Sequence, residues 1–239
     1  MSVIIKYTKP DIPNAVWTIR DILIVTFCVL ACSILFYIIL LAFFGDNKAT
    51  FRIARYVGSL LMIFTPLVWV KRKYGLSKEI LGLRKGNLSL PFYILLGIGA
   101  AVIYSLIIQL TPLRYGAAIT GFKISYSYID LILLPLSISG FASIVLTPVG
   151  EEIMDRGFTY GYLRRKLGVA QGLFLQALLF SLLHFDYIYG NAFSLITNRF
   201  LIGLILGILY EKTGSIYSSM ICHSVINYLV IIFMVFIHK

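Results

Sequence analysis

The sequence predicts an all-α membrane protein, a polytopic helical bundle of about seven transmembrane helices (six to eight). Of the 239 residues, 59% are hydrophobic and only 13% are charged, whereas a soluble domain is about a quarter charged. Several apolar runs are long enough to cross a bilayer as helices. No polar stretch between them is long enough for a soluble domain. We therefore expect one integral membrane domain over residues 1–239.

The first three spans are predicted from apolar runs and the residues that flank them. The run at about 22–44 is too long for a signal peptide and lacks a small-residue cleavage site, so we expect it to be retained. The second span, at about 51–70, contains Pro66, which is expected to break it. An amphipathic piece at 77–83 is expected to lie on the membrane surface. The third span covers about 91–110.

Four further spans follow in the second half of the chain. A polar, Tyr-rich loop at 111–130 leads to the fourth span, which starts near Ile129 and carries three carboxylates close to its far end. The fifth span is predicted at about 169–185. A short sixth span at 198–210 and a seventh at 216–237 complete the bundle.

The distribution of basic residues predicts the orientation. With the N-terminus inside, the predicted inside segments hold fourteen of the 21 Lys and Arg residues, and the outside segments hold seven. This bias favours a cytoplasmic N-terminus. The net charge of +11 follows from these loops, so the expected partner is the lipid bilayer and not nucleic acid.

A charged motif, Glu151-Glu152-Ile153-Met154-Asp155-Arg156, directly follows an apolar run. Ionisable residues inside a membrane are costly and indicate a functional site. Glu152 and Arg156 are four residues apart with the acid first, which favours a helical ion pair. Glu151 is rotated by about 100° from Glu152 on a helix, so it is left for another role. The alternative is a set of loop charges beyond the end of the span.

Two more polar motifs lie on later spans. Phe180 and His184 end the fifth span, and His223 and Asn227 share one face of the seventh. A carboxylate beside a histidine can activate water, and a histidine with an amide can stabilise an oxyanion. If Glu151 meets these groups in one cavity, the set suits hydrolysis of an amide or ester. Taken singly, the motifs are also typical of an interfacial histidine and an interhelical polar clamp.

In order and spacing, the three motifs resemble those of the CPBP family of intramembrane proteases. These are also called Abi or CAAX-protease-like proteins and include the type II CAAX prenyl endopeptidases. The family pattern is two Glu, three residues and Arg; then Phe, three residues and His; then His, three residues and a small or polar residue. The chain shows Glu151-Glu152-x-x-x-Arg156, Phe180-x-x-x-His184 and His223-x-x-x-Asn227. The resemblance covers about residues 131–230, the expected catalytic core.

The resemblance implies an intramembrane endopeptidase that hydrolyses a peptide bond of a membrane-associated protein or peptide. The resemblance implies that Glu151 is the base and that it activates a water molecule together with His184. His223 and Asn227 form the oxyanion hole. The expected location is a bacterial cell membrane, and prenylated proteins and secreted peptides are both substrate classes that fit.

The same resemblance implies that Glu152 and Arg156 support the catalytic residues. The chain differs from the family pattern at one position. Family members usually have an apolar or aromatic residue just before the Arg, where this chain has Asp155. A second carboxylate four residues from Glu151 could weaken Glu151 as a base. Asp155 could also turn toward the membrane edge.

Zinc is the alternative cofactor, since the family is also described as metalloproteases. Glu151, His184 and His223 would be its ligands, because zinc accepts histidine nitrogen and carboxylate oxygen. No two of these residues have the close spacing of a zinc helix, and no Cys joins them. We therefore expect hydrolysis without metal or cofactor.

Two functions from other classes remain as alternatives. The first is a non-enzymatic membrane immunity or scaffold protein that retains the protease fold, which Asp155 would favour. The second is a proton-coupled transporter in which Glu151 and His184 relay protons. The absence of a repeat between the two halves of the sequence disfavours the transporter.

Overall fold

The computed structural model describes residues 12–86, 89–110, 138–184 and 192–237, and within these ranges all regular structure is helical. The all-α class is therefore confirmed for this part of the chain. The predicted loop at 111–130 and the predicted start near Ile129 lie outside the described residues. The long helices are α1 (Ile19–Phe44), α2 (Lys48–Tyr74), α3 (Leu90–Leu110), α4 (138–167), α5 (Val169–Leu183), α6 (Ala192–Thr213) and α7 (Ile216–Ile237).

Among the residues that the structure describes, two helices are long and apolar enough to cross a membrane, namely α1 and the Ala49–Tyr74 part of α2. Pro91–Leu106 and Val169–Leu183 are shorter apolar helices. The outer surface of the bundle carries large exposed apolar side chains such as Phe27 and Leu95. Large exposed apolar surfaces mark contact with a membrane or a partner, and together with the apolar helices they indicate an integral membrane protein.

Helix α4 is the centre of the bundle. The other helices pack in pairs, α1 with α2, α5 with α6, and α3 with α7. Helix α4 contacts α2, α5, α6 and α7. Side chains on α4 can therefore meet side chains from several elements that are distant in the sequence.

Helix α4 also departs from regular α-helical geometry. Ala142–Leu146 and Ile153–Tyr160 are π-helical, and the α-helical segment Thr147–Glu152 lies between them. π-helical turns are rare and are frequently found at functional sites. Glu151 and Glu152 therefore stand at the boundary where the helix widens.

The carboxylates do not lie close to the far end of their helix, so that prediction is wrong. Helix α4 continues to Leu167 and ends at Gly168, whose φ is +80°. Gly157 lies within this helix, and a neighbouring segment packs closely on it. A Cβ atom at Gly157 would lie 2.6 Å from the carbonyl oxygen of Leu81, so only glycine permits this approach.

The segment that packs on Gly157 is a short 3₁₀ turn, Lys78–Leu81. It belongs to the amphipathic piece at 77–83 that was predicted to lie on the membrane surface. Leu81 is fully buried in a core that includes Trp17 and Phe158. The surface prediction is therefore wrong for Leu81, because the turn docks on α4.

Substitution of Gly157 by Ala is expected to destabilise the fold, because the backbone of Leu81 must move to admit the new methyl group. Overpacking of this kind costs about 1–3 kcal/mol. The measurement is the melting temperature in detergent. Gly99→Ala is the matched control, since nothing lies within 4 Å of a Cβ atom at Gly99 on α3. Equal melting temperatures for the two variants would contradict the docking of this turn.

Two other boundary predictions are also wrong. Helix α2 passes through Pro66 without a break and reaches Tyr74, since apolar spans tolerate proline when neighbouring groups satisfy the freed backbone. Helix α6 begins at Ala192 instead of Asn198 and ends at Thr213, so it is not short. Helix α7 has the predicted bounds, Ile216–Ile237.

Candidate active site

Glu152 and Arg156 form the buried base of the site. Arg156 Nη1 donates a hydrogen bond of 2.8 Å to Glu152 Oε1, and both side chains are fully buried. The ion pair predicted from the four-residue spacing is therefore present. The guanidinium also lies 4.7 Å from the ring centroid of Phe180 and donates from Nη2 to the carbonyl oxygen of Gly203 at 3.4 Å. Arg156 thus joins α4 to α5 and α6.

His223 connects α7 to both glutamates of α4. Its Nδ1 lies 2.8 Å from Glu152 Oε1. Since an ionised carboxylate only accepts, Nδ1 carries the hydrogen and donates it. The other ring nitrogen, Nε2, lies 3.5 Å from Glu151 Oε2. One almost fully buried imidazole therefore stands between the two carboxylates.

His184 approaches Glu151 from the end of α5. Its Nε2 lies 3.5 Å from Glu151 Oε1. Its Nδ1 lies 2.7 Å from the carbonyl oxygen of Phe180, and because a carbonyl only accepts, Nδ1 is the donor. The Phe180 ring packs on the imidazole with 4.3 Å between centroids. The backbone and this ring together fix the direction of Nε2.

Glu151 is the residue on which these contacts converge. Its two oxygens face the Nε2 atoms of different histidines, each at 3.5 Å. Both distances exceed that of a charge-assisted hydrogen bond, about 2.7–2.9 Å, so neither histidine holds the carboxylate tightly. The side chains of Glu151 and His184 are 15% and 26% exposed, whereas Glu152 is fully buried. The accessible edge of the site is therefore the one between Glu151 and His184.

Asn227 and Asp155 lie on the same two helices as His223 and Glu151, α7 and α4. Asn227 follows His223 by one turn on the same face of α7, and its Nδ2 donates to the carbonyl oxygen of Ser143 at 3.2 Å. Asp155 Oδ2 lies 3.8 Å from Arg156 Nη1, and its side chain is 16% exposed. The amide of Asn227 keeps a second N–H, and its role at an oxyanion remains a prediction.

One part of the chain is similar to a known protein family. Residues 133–229 match the family described as "Type II CAAX prenyl endopeptidase Rce1-like". We call this part of the chain, which is similar to that family, the Rce1-like segment. The family resemblance predicted from the three motifs is confirmed, and at family level it supports a CAAX-protease-like membrane endopeptidase. No curated protein and no solved structure matches the chain.

Gln176 is one of several buried polar residues of the Rce1-like segment that were not predicted from the sequence. Gln176 is 1% exposed, and neither its Nε2 nor its Oε1 has a hydrogen-bond partner among the described residues. It precedes Phe180 by four residues and His184 by eight, a spacing that places all three on one stripe of α5. That spacing is the signal that could have revealed it.

The three residues offered as alternative zinc ligands do lie together in the Rce1-like segment. Glu151 faces His184 and His223, and the Nδ1 atom of each imidazole is already engaged elsewhere. Within the described ranges, however, no group of three or more His, Cys, Asp or Glu side chains is arranged to hold a metal ion.

Proposed function

We propose that this protein is an intramembrane endopeptidase in which Glu151 activates the water that attacks a peptide carbonyl. The substrate is a membrane-associated protein or peptide. The observation that supports this best is the position of the Glu151 carboxylate, with one oxygen toward His184 and the other toward His223, each at 3.5 Å. The Rce1-like match supports the reaction class.

The local charges support an ionised Glu151. Three carboxylates lie here, those of Glu151, Glu152 and Asp155, and Arg156 supplies one positive charge beside Glu152 and Asp155. In the proposed mechanism His223 is doubly protonated and supplies a second positive charge, so that it donates from Nδ1 to Glu152 and presents Nε2–H to Glu151. A general base must be ionised before it can take a proton, and this arrangement keeps Glu151 in that form.

The reaction then uses the two histidines differently. Glu151 takes a proton from the water as its oxygen bonds to the peptide carbon. His184 Nε2, which faces Glu151 Oε1, receives this proton and passes it to the leaving amine when the C–N bond breaks. His223 Nε2–H, with the second N–H of Asn227, donates to the oxyanion that forms between these two steps.

The experiment that tests this function is peptidomics of membranes from cells that express the wild-type protein or Glu151→Gln. The wild type should release peptides that are missing from the Glu151→Gln sample. Asp155→Asn is the matched control, because it makes the same isosteric change four residues away. Identical peptide profiles for wild type and Glu151→Gln at equal protein levels would refute proteolysis at this site.

We propose that hydrolysis proceeds without a metal ion. The support is the arrangement of the donor groups, in which Glu151 interacts with both imidazoles and no described group is built for a metal. Active purified protein should contain less than stoichiometric zinc, and a chelator should leave its cleavage rate unchanged. Stoichiometric zinc whose removal and return switches cleavage off and on would overturn this proposal.

We also propose that the N-terminus is cytoplasmic and that the protein resides in a bacterial cell membrane. The orientation is supported by the two-to-one excess of basic residues in the segments assigned to the inside, fourteen against seven. With seven spans the C-terminus would lie outside. A reporter that works only outside the cytoplasm should therefore be active when it is fused after residue 239. Activity of a reporter that works only inside the cytoplasm would overturn the orientation.

A further inference from the structure

One end of the bundle collects a large share of its basic side chains. Helix α1 begins there, and α2 and α4 end there. Lys73 contacts Asp21, and Arg165 Nη2 donates to the carbonyl oxygen of Trp17 at 2.7 Å. We call this the basic end. The last turns of α2 and α4 contribute Lys71, Arg72, Lys73, Arg164, Arg165 and Lys166.

An open groove on the surface of α2, with a volume of about 640 Å³, follows this helix toward the basic end. Its lining residues are spaced to share one face of the helix. The groove is apolar along most of its length and cationic where α2 ends. The lining residues are Phe64, Thr65, Val68, Trp69, Arg72 and Lys73.

A buried carboxylate orders the cationic part of this groove. Asp21 is fully buried and accepts hydrogen bonds from Lys73 Nζ, from Trp69 Nε1 at 3.0 Å and from Tyr74 Oη at 2.7 Å. The Lys73 ammonium also lies 5.3 Å from the Trp69 ring centroid and 5.4 Å from that of Tyr74. These contacts hold the indole and the ammonium in place, so this wall of the groove is preorganised.

Arg72 differs from Lys73 because its charge is not committed. It is exposed, and it forms no ion pair with any residue that the structure describes. A guanidinium is well suited to bind a phosphate through two parallel hydrogen bonds. Its position at the end of an apolar helix, next to a tryptophan, corresponds to the headgroup level of a membrane.

We propose that this groove binds one anionic diacyl phospholipid. Its phosphate contacts Arg72 and the exposed side of Lys73, and an acyl chain lies along Val68 and Phe64. The groove and the lipid match in polarity along their lengths, since each has a charged end and an apolar body. A zwitterionic lipid fits less well, because its own cation would lie close to Arg72. This site does not depend on the proposed proteolysis.

The tryptophan content of the chain provides a direct test. The sequence has two tryptophans; Trp17 is fully buried, and Trp69 lines the groove. The protein is placed in phosphatidylcholine vesicles that contain a small fraction of a lipid with brominated acyl chains. This brominated lipid is phosphatidylglycerol in one sample and phosphatidylcholine in the other. Bromine quenches a nearby indole, so the fluorescence loss reports the lipid beside Trp69. Trp69→Phe supplies the background from Trp17.

Brominated phosphatidylglycerol should quench the fluorescence at a lower mole fraction than brominated phosphatidylcholine. Arg72→Gln should reduce this preference about fivefold, the effect of one basic residue at a membrane surface. Lys166→Gln removes an exposed charge from the same end outside the groove and should retain the preference. Equal quenching by the two lipids would overturn the proposal. A preference that survives Arg72→Gln would also overturn it, because selection would then belong to the basic end as a whole.

Discussion

Glu151→Gln is expected to lower the rate of peptide cleavage by at least about 10²-fold, the usual contribution of a general base. The amide has nearly the same shape as the carboxylate but cannot take the proton of the attacking water. Because Glu151 is partly exposed and makes only 3.5 Å contacts with His184 and His223, the change should not unfold the protein. The measurement is single-turnover cleavage of a substrate peptide in lipid.

Two further variants make this result specific. Asp155→Asn removes a neighbouring carboxylate that lies 3.8 Å from Arg156, and it should keep activity near the wild-type level. Asn227→Ala removes an oxyanion donor, so turnover should fall far more than substrate affinity while a measurable remnant survives. If Glu151→Gln cleaves at the wild-type rate, or if Asp155→Asn is the inactive variant, then Glu151 is not the base.

Arg156→Ala is expected to cause the largest loss of stability. The guanidinium is fully buried, pairs with Glu152 at 2.8 Å and stacks on Phe180. Its removal leaves the buried carboxylate of Glu152 without this partner, which costs about 3–5 kcal/mol. In a chain of this size such a loss lowers the melting temperature by on the order of 10 °C. The measurement is thermal unfolding in detergent.

A double-mutant cycle separates the stranded charge from lost packing. Adding Glu152→Gln to Arg156→Ala removes the unpaired charge and should recover part of the lost stability. Lys166→Ala, at an exposed position on the same helix, should leave the melting temperature unchanged. No recovery in the double variant would mean that Arg156 stabilises the fold through packing on Phe180 and not through its charge.

The sequence alone predicted the properties that depend on residues close together along the chain. Apolar composition and run length predicted the helical class, and the bounds of α7 agree at both ends. The Glu152–Arg156 pair was predictable because residues four apart on a helix are neighbours whatever the rest of the chain does. The three motifs also predicted a family resemblance over about residues 131–230, and the family match covers 133–229. Helix ends were less predictable. Pro66 does not break α2, because packing around a helix can outweigh a local breaker.

Only the tertiary structure decided which groups meet. His223 and Glu152 are separated by 71 residues, and their contact depends on how α7 packs on α4. Periodicity places a side chain on a face of its own helix but does not say which helix that face meets. The same limit explains why Leu81 was expected on the surface, since its burial depends on Gly157 in another segment. It also explains why the convergence of His184 and His223 on the two oxygens of Glu151 had to be found in the structure.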